Sequence, residues 1–260
     1  TTLHGTDITL VGSHPFYRPA VTFSINHSDK VTAVSKSLKN DTLRLFDITT
    51  KIDVITNFID IKKIEAKVMP CKRDLLAPKS HKIITHISNF RPLKRIQDVI
   101  KIFEKILPTV PSKLLMVGEG PEKQKAMDYV KKNGLTESIS FLGNSNEIDK
   151  ILCYSDLFLL PSEKESFGLS ALEAMANKVP VISSNAGGIP EVNKDNFSGY
   201  LSDVGDLDGM AKNALLLLQD DTKLKQFKEQ AKEQASLFDI DSVISQYEAV
   251  YSEAIAAYQF

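Results

Sequence analysis

Apolar and polar positions follow two different periods along this chain, and the switches between them lay out its elements. Short apolar runs at Lys30 to Val34 and Ile52 to Ile55 predict strands, and helical spacing at Arg18 to Asn26 and Lys36 to Phe46 predicts helices before and between them. A charged, proline-containing segment with neither period, Lys67 to Ser80, reads as an interdomain linker. Beyond it the alternation is regular. Strands are predicted at Lys82 to Ser88, Lys113 to Val117, Ser138 to Leu142, Asp156 to Leu160, Val179 to Ser183 and Gly199 to Leu201. Helices are predicted at Ile96 to Leu107, Glu122 to Asn133 and Glu147 to Cys153, in the apolar stretch around Glu173, and then at Leu207 to Leu218, Thr222 to Ala235 and Ser242 to Ala256. Strands separated by helices of this length imply an α/β fold with a parallel, doubly wound sheet. Ligands of such sheets bind beyond the carboxyl ends of the strands. The turns at Asn89 to Arg91, Gly118 to Gly120, Gly143-Asn144, Ser162 to Gly168 and Asn185 to Gly188 each follow a strand, and are expected to line one crevice.

The composition narrows the class. With 260 residues, 42% hydrophobic and 25% charged, the chain is long enough for two compact units. Thirty-two basic residues against thirty-three acidic ones give a net charge of −1, so bulk charge favours neither nucleic acid nor an anionic membrane. No apolar run approaches the roughly 18 residues a membrane span needs, and nothing resembles a signal peptide. The two cysteines, Cys71 and Cys153, are far apart and outside any CxxC arrangement, which argues against a disulfide framework and a zinc site. A reducing cytoplasm is the simplest setting. The opening TTLHGTD begins on a strand end without an initiator Met, so an N-terminal segment is expected to be missing.

The chemistry concentrates in PSEKESFGLSALEAMA, Pro161 to Ala176. Glu165 lies in the turn after a buried strand, and Glu173 on the second turn of the helix that follows. Amides near Phe167, Gly168 and Leu169 stand at that helix's N-terminus, where unpaired N–H groups and the dipole favour a diphosphate. Each glutamate can then accept hydrogen bonds from vicinal hydroxyls, one set on a hexose and one on a ribose. Two ordinary glutamates on a solvated helix are the plain alternative. Arg91 and Lys94 in NFRPLKR can neutralise a departing diphosphate, or can simply be solvated. Gly118 in GEGP permits close backbone approach, but a lone GxG without a third glycine is no dinucleotide fingerprint. A nucleoside triphosphatase loop is absent as well. His4, beside Gly5 and Thr6, ends a strand of the first unit, where a lone histidine is either structural or turned toward the crevice.

Together these motifs resemble those of the retaining glycosyltransferases of the GT-B fold. ESFGLSALE is similar to their E-x7-E motif, and GEGP at Gly118, GGIPE at Gly187 and NFID at Asn57 fit alongside it. The resemblance covers nearly the whole chain, and it implies two Rossmann-like domains facing a cleft, the first incomplete. Residues 1–66 would be the second half of an acceptor-binding domain, 67–80 the linker, 81–240 the nucleotide-sugar domain and 241–260 a helix crossing back to the first. TTLHGTDIT and ISNFRPLKR are similar to the branch that transfers N-acetylglucosamine from its UDP donor to L-malate. The resemblance implies Glu173 for the ribose hydroxyls, Glu165 for the sugar, Arg91 and Lys94 for phosphate charge and His4 near sugar and acceptor. It further implies donor contacts from Gly118, Asn144, Ser166, Phe167, Gly168 and Leu169. Thr6, Arg18 and Thr22 are the visible candidates for the two carboxylates of malate. The chain departs from the common pattern at Asn89, which stands where relatives carry Arg, and Arg91 precedes Lys94 by three positions. The resemblance implies metal-independent transfer, with the UDP-sugar as substrate and no cofactor. A UDP-sugar epimerase, transfer to another acceptor, and a binding module without turnover stay open, as does assembly into a homo-oligomer.

Overall fold

The computed structural model describes residues 1–12, 14–66, 73 and 76–257. Two parallel sheets organise it. The smaller has three strands in sequence order, β1 (Thr2–Leu3), β2 (Val31–Ala33) and β3 (Ile52–Val54), connected through α1 (Arg18–Asn26) and α2 (Lys36–Leu45) and followed by α3 (Ile61–Ala66). The larger has six strands: β4 (Lys82–Ile87), β5 (Ser112–Val117), β6 (Ile139–Gly143), β7 (Leu157–Leu160), β8 (Val181–Ser184) and β9 (Gly199–Ser202). Their spatial order is β6-β5-β4-β7-β8-β9, all parallel. The order reverses between β4 and β7, the switch point at which open α/β sheets leave a crevice beyond their strand ends.

The helices that cover this sheet are α4 (Ile96–Ile106), α5 (Lys123–Lys132), α6 (Ile148–Tyr154), α7 (Leu169–Ala176), the single turn α8 (Ile189–Val192), α9 (Leu207–Leu218) and α10 (Asp221–Ser236). Sequence pattern explains both classes of element. All four residues of β7 are fully buried, as a strand covered on both faces requires. In α4 the spacing of Ile96, Val99, Ile100, Phe103 and Ile106 makes one apolar face, and every one of these side chains is buried. N-caps fix several starts: Ser35 accepts from the Leu38 amide before α2, and Asp206 from that of Gly209 before α9.

The last helix, α11 (Ile240–Ala256), follows a parallel bridge in which the Ile59 amide donates to Phe238 and the Ile240 amide to Ile59, both at 2.9 Å. From there α11 runs against the smaller sheet, with Lys30 paired to Glu253 at 2.6 Å and the Tyr247 hydroxyl donating to the Ile55 carbonyl at 3.4 Å. One apolar cluster spans both units, joining Leu3, Ile8, Ile25 and Leu38 to Phe167, Ile189, Val192 and Phe238.

Of the expected linker, residues 67–72, 74 and 75 lie outside the described residues. Arg73 donates to the Tyr154 and His81 carbonyls and pairs with Asp156 at 2.6 Å, which ties this residue to the base of β4 and β7. Cys153 is disulfide-bonded, contrary to the reading of two isolated thiols, so the cysteines supply no argument for a reducing compartment; Cys71 lies outside the described residues. Among the described residues no helix is long and apolar enough to cross a membrane.

Candidate functional site

The loops that leave β4 and β7 meet across the switch point. Lys94 Nζ donates to Glu165 Oε1 at 2.6 Å, and Ser162 Oγ donates to the same oxygen at 3.0 Å. The Glu163 amide donates to the Leu93 carbonyl at 2.8 Å, so the loops are joined by backbone as well as by charge. Both partners of the ion pair are largely withdrawn from water, with side chains 17% and 9% exposed. Their mutual attraction is therefore little screened.

The conformation of the β4 loop is over-determined. His86 is fully buried on β4; its Nδ1 donates to the Leu159 carbonyl of β7 at 2.8 Å, which leaves Nε2 to accept from Ser88 Oγ at 2.8 Å. Burial, with a smaller contribution from the Lys94 charge, lowers the His86 pKa to about 4, so the ring is neutral. Ser88 Oγ in turn accepts from the Phe90 amide at 3.3 Å. Phe90 has φ of 37° and Arg95 of 53°, left-handed values held by this packing. Gly118 and Gly120 allow the β5 loop to press on the same segment, since a Cβ at these positions would stand 1.8 Å from the Ser88 carbonyl oxygen and 2.2 Å from that of Asn89. Gly118 thus supports the site from behind.

The β7 loop turns into α7 through Gly168, whose φ is 96°. Phe167 is buried edge-on against Phe238, with ring centroids 5.7 Å apart, and this anchors the turn. Among the described residues no side chain caps the N-terminus of α7. Its exposed Leu169 lines the cleft with Ile87, Asn89, Lys94, Glu165, Ser166 and Glu173. Burial first, and then the neighbouring Asp149 carboxylate, push the Glu173 carboxyl up to about 7.

Across the cleft stand Gly5, Thr6, Thr9, Ser37 and Asp41 of the smaller unit, facing Arg91, Lys94, Lys164 and Glu165. Lys164 reaches Asp41 at 3.5 Å, whereas Arg91 is exposed and has no ion pair among the described residues. Thr6 therefore lies with Arg91, Lys94, Glu165 and Ser166 on one continuous cleft, and Phe167, Gly168, Leu169 and Glu173 line its other end. His4 is exposed beside Gly5, which itself packs on Ser166, and Asn144 is exposed at the end of β6. Arg18 and Thr22 are not brought to this cleft. They line a separate depression on α1 with Phe23 and Asp47, where Arg18 lies over the Phe46 ring and Thr22 bonds back to the Arg18 carbonyl.

The comparisons with known proteins agree with this architecture. The family model described as glycosyl transferases group 1 matches residues 71–234, and that of glycosyltransferase family 4 matches residues 1–63. The chain is 44% identical, over 257 residues, to N-acetyl-alpha-D-glucosaminyl L-malate synthase of Bacillus anthracis, covering 98% of this chain and 68% of that protein. The chain belongs to the group 1 glycosyltransferases. A D-inositol 3-phosphate glycosyltransferase of Salinispora arenicola is 27% identical over 90% of the chain and 57% of its own length. HepE of Anabaena, crystallised with UDP and glucose, superposes with a TM-score of 0.85 at 22% identity, covering 96% of this chain and 70% of that one. TarM of Staphylococcus aureus superposes with a TM-score of 0.81 at 24% identity, covering 96% and 50%. These structural likenesses establish the GT-B fold.

His86, Ser88 and Lys164 did not stand out in the sequence. A histidine inside a β-strand carries no local signal of its partners, because Leu159 and Ser88 reach it only through the β4–β7 pairing and the turn that follows.

Proposed function

We propose that this protein is a retaining glycosyltransferase that moves N-acetylglucosamine from UDP-N-acetylglucosamine to the hydroxyl of L-malate. The observation that carries the sugar-transfer chemistry is the Lys94–Glu165 pair at the switch point, beside the uncapped N-terminus of α7. The 44% identity to the malate synthase of Bacillus anthracis supports this donor and acceptor.

In this reading Glu173 receives the ribose hydroxyls and Glu165 the hydroxyls of the sugar, while the α7 amides and the cations Lys94 and Arg91 face the diphosphate. The malate hydroxyl oxygen forms its bond to the anomeric carbon on the face from which the diphosphate leaves. The bond from that carbon to the phosphate oxygen breaks, and the departing phosphate takes the hydroxyl proton. Lys94 and the helix terminus hold the charge that develops on the leaving oxygen, a preorganised contribution that removal of one donor typically lowers by roughly 100- to 1000-fold in rate. The malate carboxylates meet Lys164, with the Thr6, Thr9 and Ser37 hydroxyls on the opposite wall.

The test is mass spectrometry of the intact protein with UDP-N-acetylglucosamine, with and without L-malate. A malate-dependent glycoside with equimolar UDP is the expected result. Donor bound but unchanged by malate would overturn the acceptor, and inversion of a sugar stereocentre without any acceptor, read by proton NMR because epimers share one mass, would point to an epimerase.

A further inference from the structure

The GGIPE segment, Gly187 to Glu191, has no role in the chemistry above, yet it touches both walls of the cleft. Glu191, at the third position of α8, sends its carboxylate to the first turn of α2 in the other unit: Oε2 accepts from the Lys36 amide at 2.9 Å and Oε1 from the Ser37 amide at 2.8 Å. These are two of the N-terminal amides that a helix cannot satisfy itself, and the negative charge complements the helix dipole.

The other end of the segment is locked to the sugar-facing loop. The Gly188 amide donates to the Glu165 carbonyl at 2.9 Å. A Cβ on Gly187 would lie 2.0 Å from that carbonyl oxygen, and one on Gly188 would lie 2.3 Å from the Ser166 carbonyl oxygen, so backbone rides directly on backbone. The Ser166 carbonyl also accepts from Ser35 Oγ at 2.6 Å, and Ser35 is the N-cap of α2. The β7 loop, α8 and the start of α2 thus form a closed triangle of hydrogen bonds.

We infer that Glu191 is a positioning residue, which holds α2 and its cleft-lining Ser37 and Asp41 in fixed register with Glu165 and Ser166. It touches no reacting atom. Its contribution is to set where the acceptor wall stands relative to the sugar, and a misplacement of about 1 Å between reacting groups can cost on the order of 100-fold in rate.

Two variants of the full-length protein test this. Glu191→Ala removes the carboxylate. Lys36→Pro removes one of its donors from the opposite side and leaves the helix intact, because proline is well accepted at the first helical position and Ser35 is already extended, with φ of −156° and ψ of 158°. Charge-assisted hydrogen bonds of this kind correspond to roughly tenfold or more each. Glu191→Ala is expected to lower kcat/KM for L-malate about 10- to 100-fold while the Kd for UDP stays within about twofold, and Lys36→Pro to shift it the same way by a smaller factor. Amide exchange at Ser37, measured with UDP bound, should accelerate in Glu191→Ala. The kinetic arm rests on the malate-transfer reading; the exchange arm does not. Unchanged exchange at Ser37, or a UDP Kd that worsens in step with the acceptor parameters, overturns the positioning role. Absence of malate turnover in the unmodified protein overturns only the acceptor reading.

Discussion

Lys94 and Glu165 meet at 2.6 Å where the loops leaving β4 and β7 converge, and Ser162 adds a second hydrogen bond to the same carboxylate oxygen. Breaking a buried ion pair by deleting one partner typically costs about 3 to 5 kcal/mol, because the other charge stays behind in a poor solvent. Lys94→Met is therefore expected to lower both the melting temperature and the turnover number, the latter by roughly 100- to 1000-fold. The double variant Lys94→Met with Glu165→Gln separates the two effects. It should regain much of the lost stability in thermal melts and remain inactive in the transfer assay; recovery of turnover would show that the pair is structural only.

Gly188 tests the backbone contact behind the β7 loop. Its φ of −82° is ordinary, so glycine is needed there for space alone: the nearest atoms to an added Cβ are the backbone atoms of Ser166 and Phe167. Gly188→Ala should overpack this contact by about 1 to 3 kcal/mol and displace Glu165 and Ser166. Loss of transfer with little change in far-ultraviolet circular dichroism is the expected outcome. Gly134→Ala is the control, since no atom lies within 4 Å of a Cβ there and the only cost is its φ of 68°.

The larger unit was legible in the sequence because each of its elements has a local cause. The six strands predicted between Lys82 and Leu201 all form, with ends shifted by one or two residues, as for Val179 to Ser183 against the observed Val181–Ser184. Continuous apolar runs such as Leu157 to Leu160 and the apolar face of α4 allow only one burial pattern. The short α3, Ile61–Ala66, escaped notice, since six residues are too few to show a period. Of the site, the Glu165 and Glu173 pair was visible as spacing within one strand-turn-helix unit. Its supporting contacts were not. His86 with Leu159 and Glu191 with α2 join residues 73 or more positions apart; nothing near His86 distinguishes it from an ordinary core histidine, and the GGIPE motif marks Glu191 without showing that its partner is α2.

In the proposed reading Glu173 sets stability and donor affinity against each other. Its carboxyl is pushed up to about 7 from 4.5, by burial and then by Asp149, which corresponds to roughly 3 kcal/mol. Because the folded protein holds this proton more tightly than the unfolded chain, the contribution is fully present below pH 4.5 and is lost as pH rises through about 7. Glu173→Gln removes the ionisation, so its melting temperature at pH 8 should exceed that of the unmodified protein. The same variant should bind UDP-N-acetylglucosamine about tenfold or more weakly in calorimetry, as a carboxylate acceptor for hydroxyls is lost. An unchanged melting temperature at pH 8 would falsify the assignment of a buried, raised carboxyl.

His86 produces the opposite slope, and the two groups conceal each other. Its pKa falls from 6.5 to about 4 chiefly through burial, so folding stability is complete above pH 6.5 and is lost as pH falls toward 4. Between pH 4.5 and 6.5 the unfolded chain binds a proton at His86 while the folded protein holds one at Glu173, and the contributions of these two residues to the pH dependence nearly cancel. His86→Gln takes away one side of that balance. Its side-chain amide can still donate to the Leu159 carbonyl and its carbonyl can still accept from Ser88, so the β4 loop keeps a version of its support. Denaturant melts of His86→Gln across pH 4.5 to 6.5 should show stability falling as pH rises, with a slope near one proton, or about 1.4 kcal/mol per pH unit. The same slope should be absent from the His86→Gln, Glu173→Gln double variant. A slope that persists there must come from other groups, and would remove Glu173 and His86 as the opposing pair.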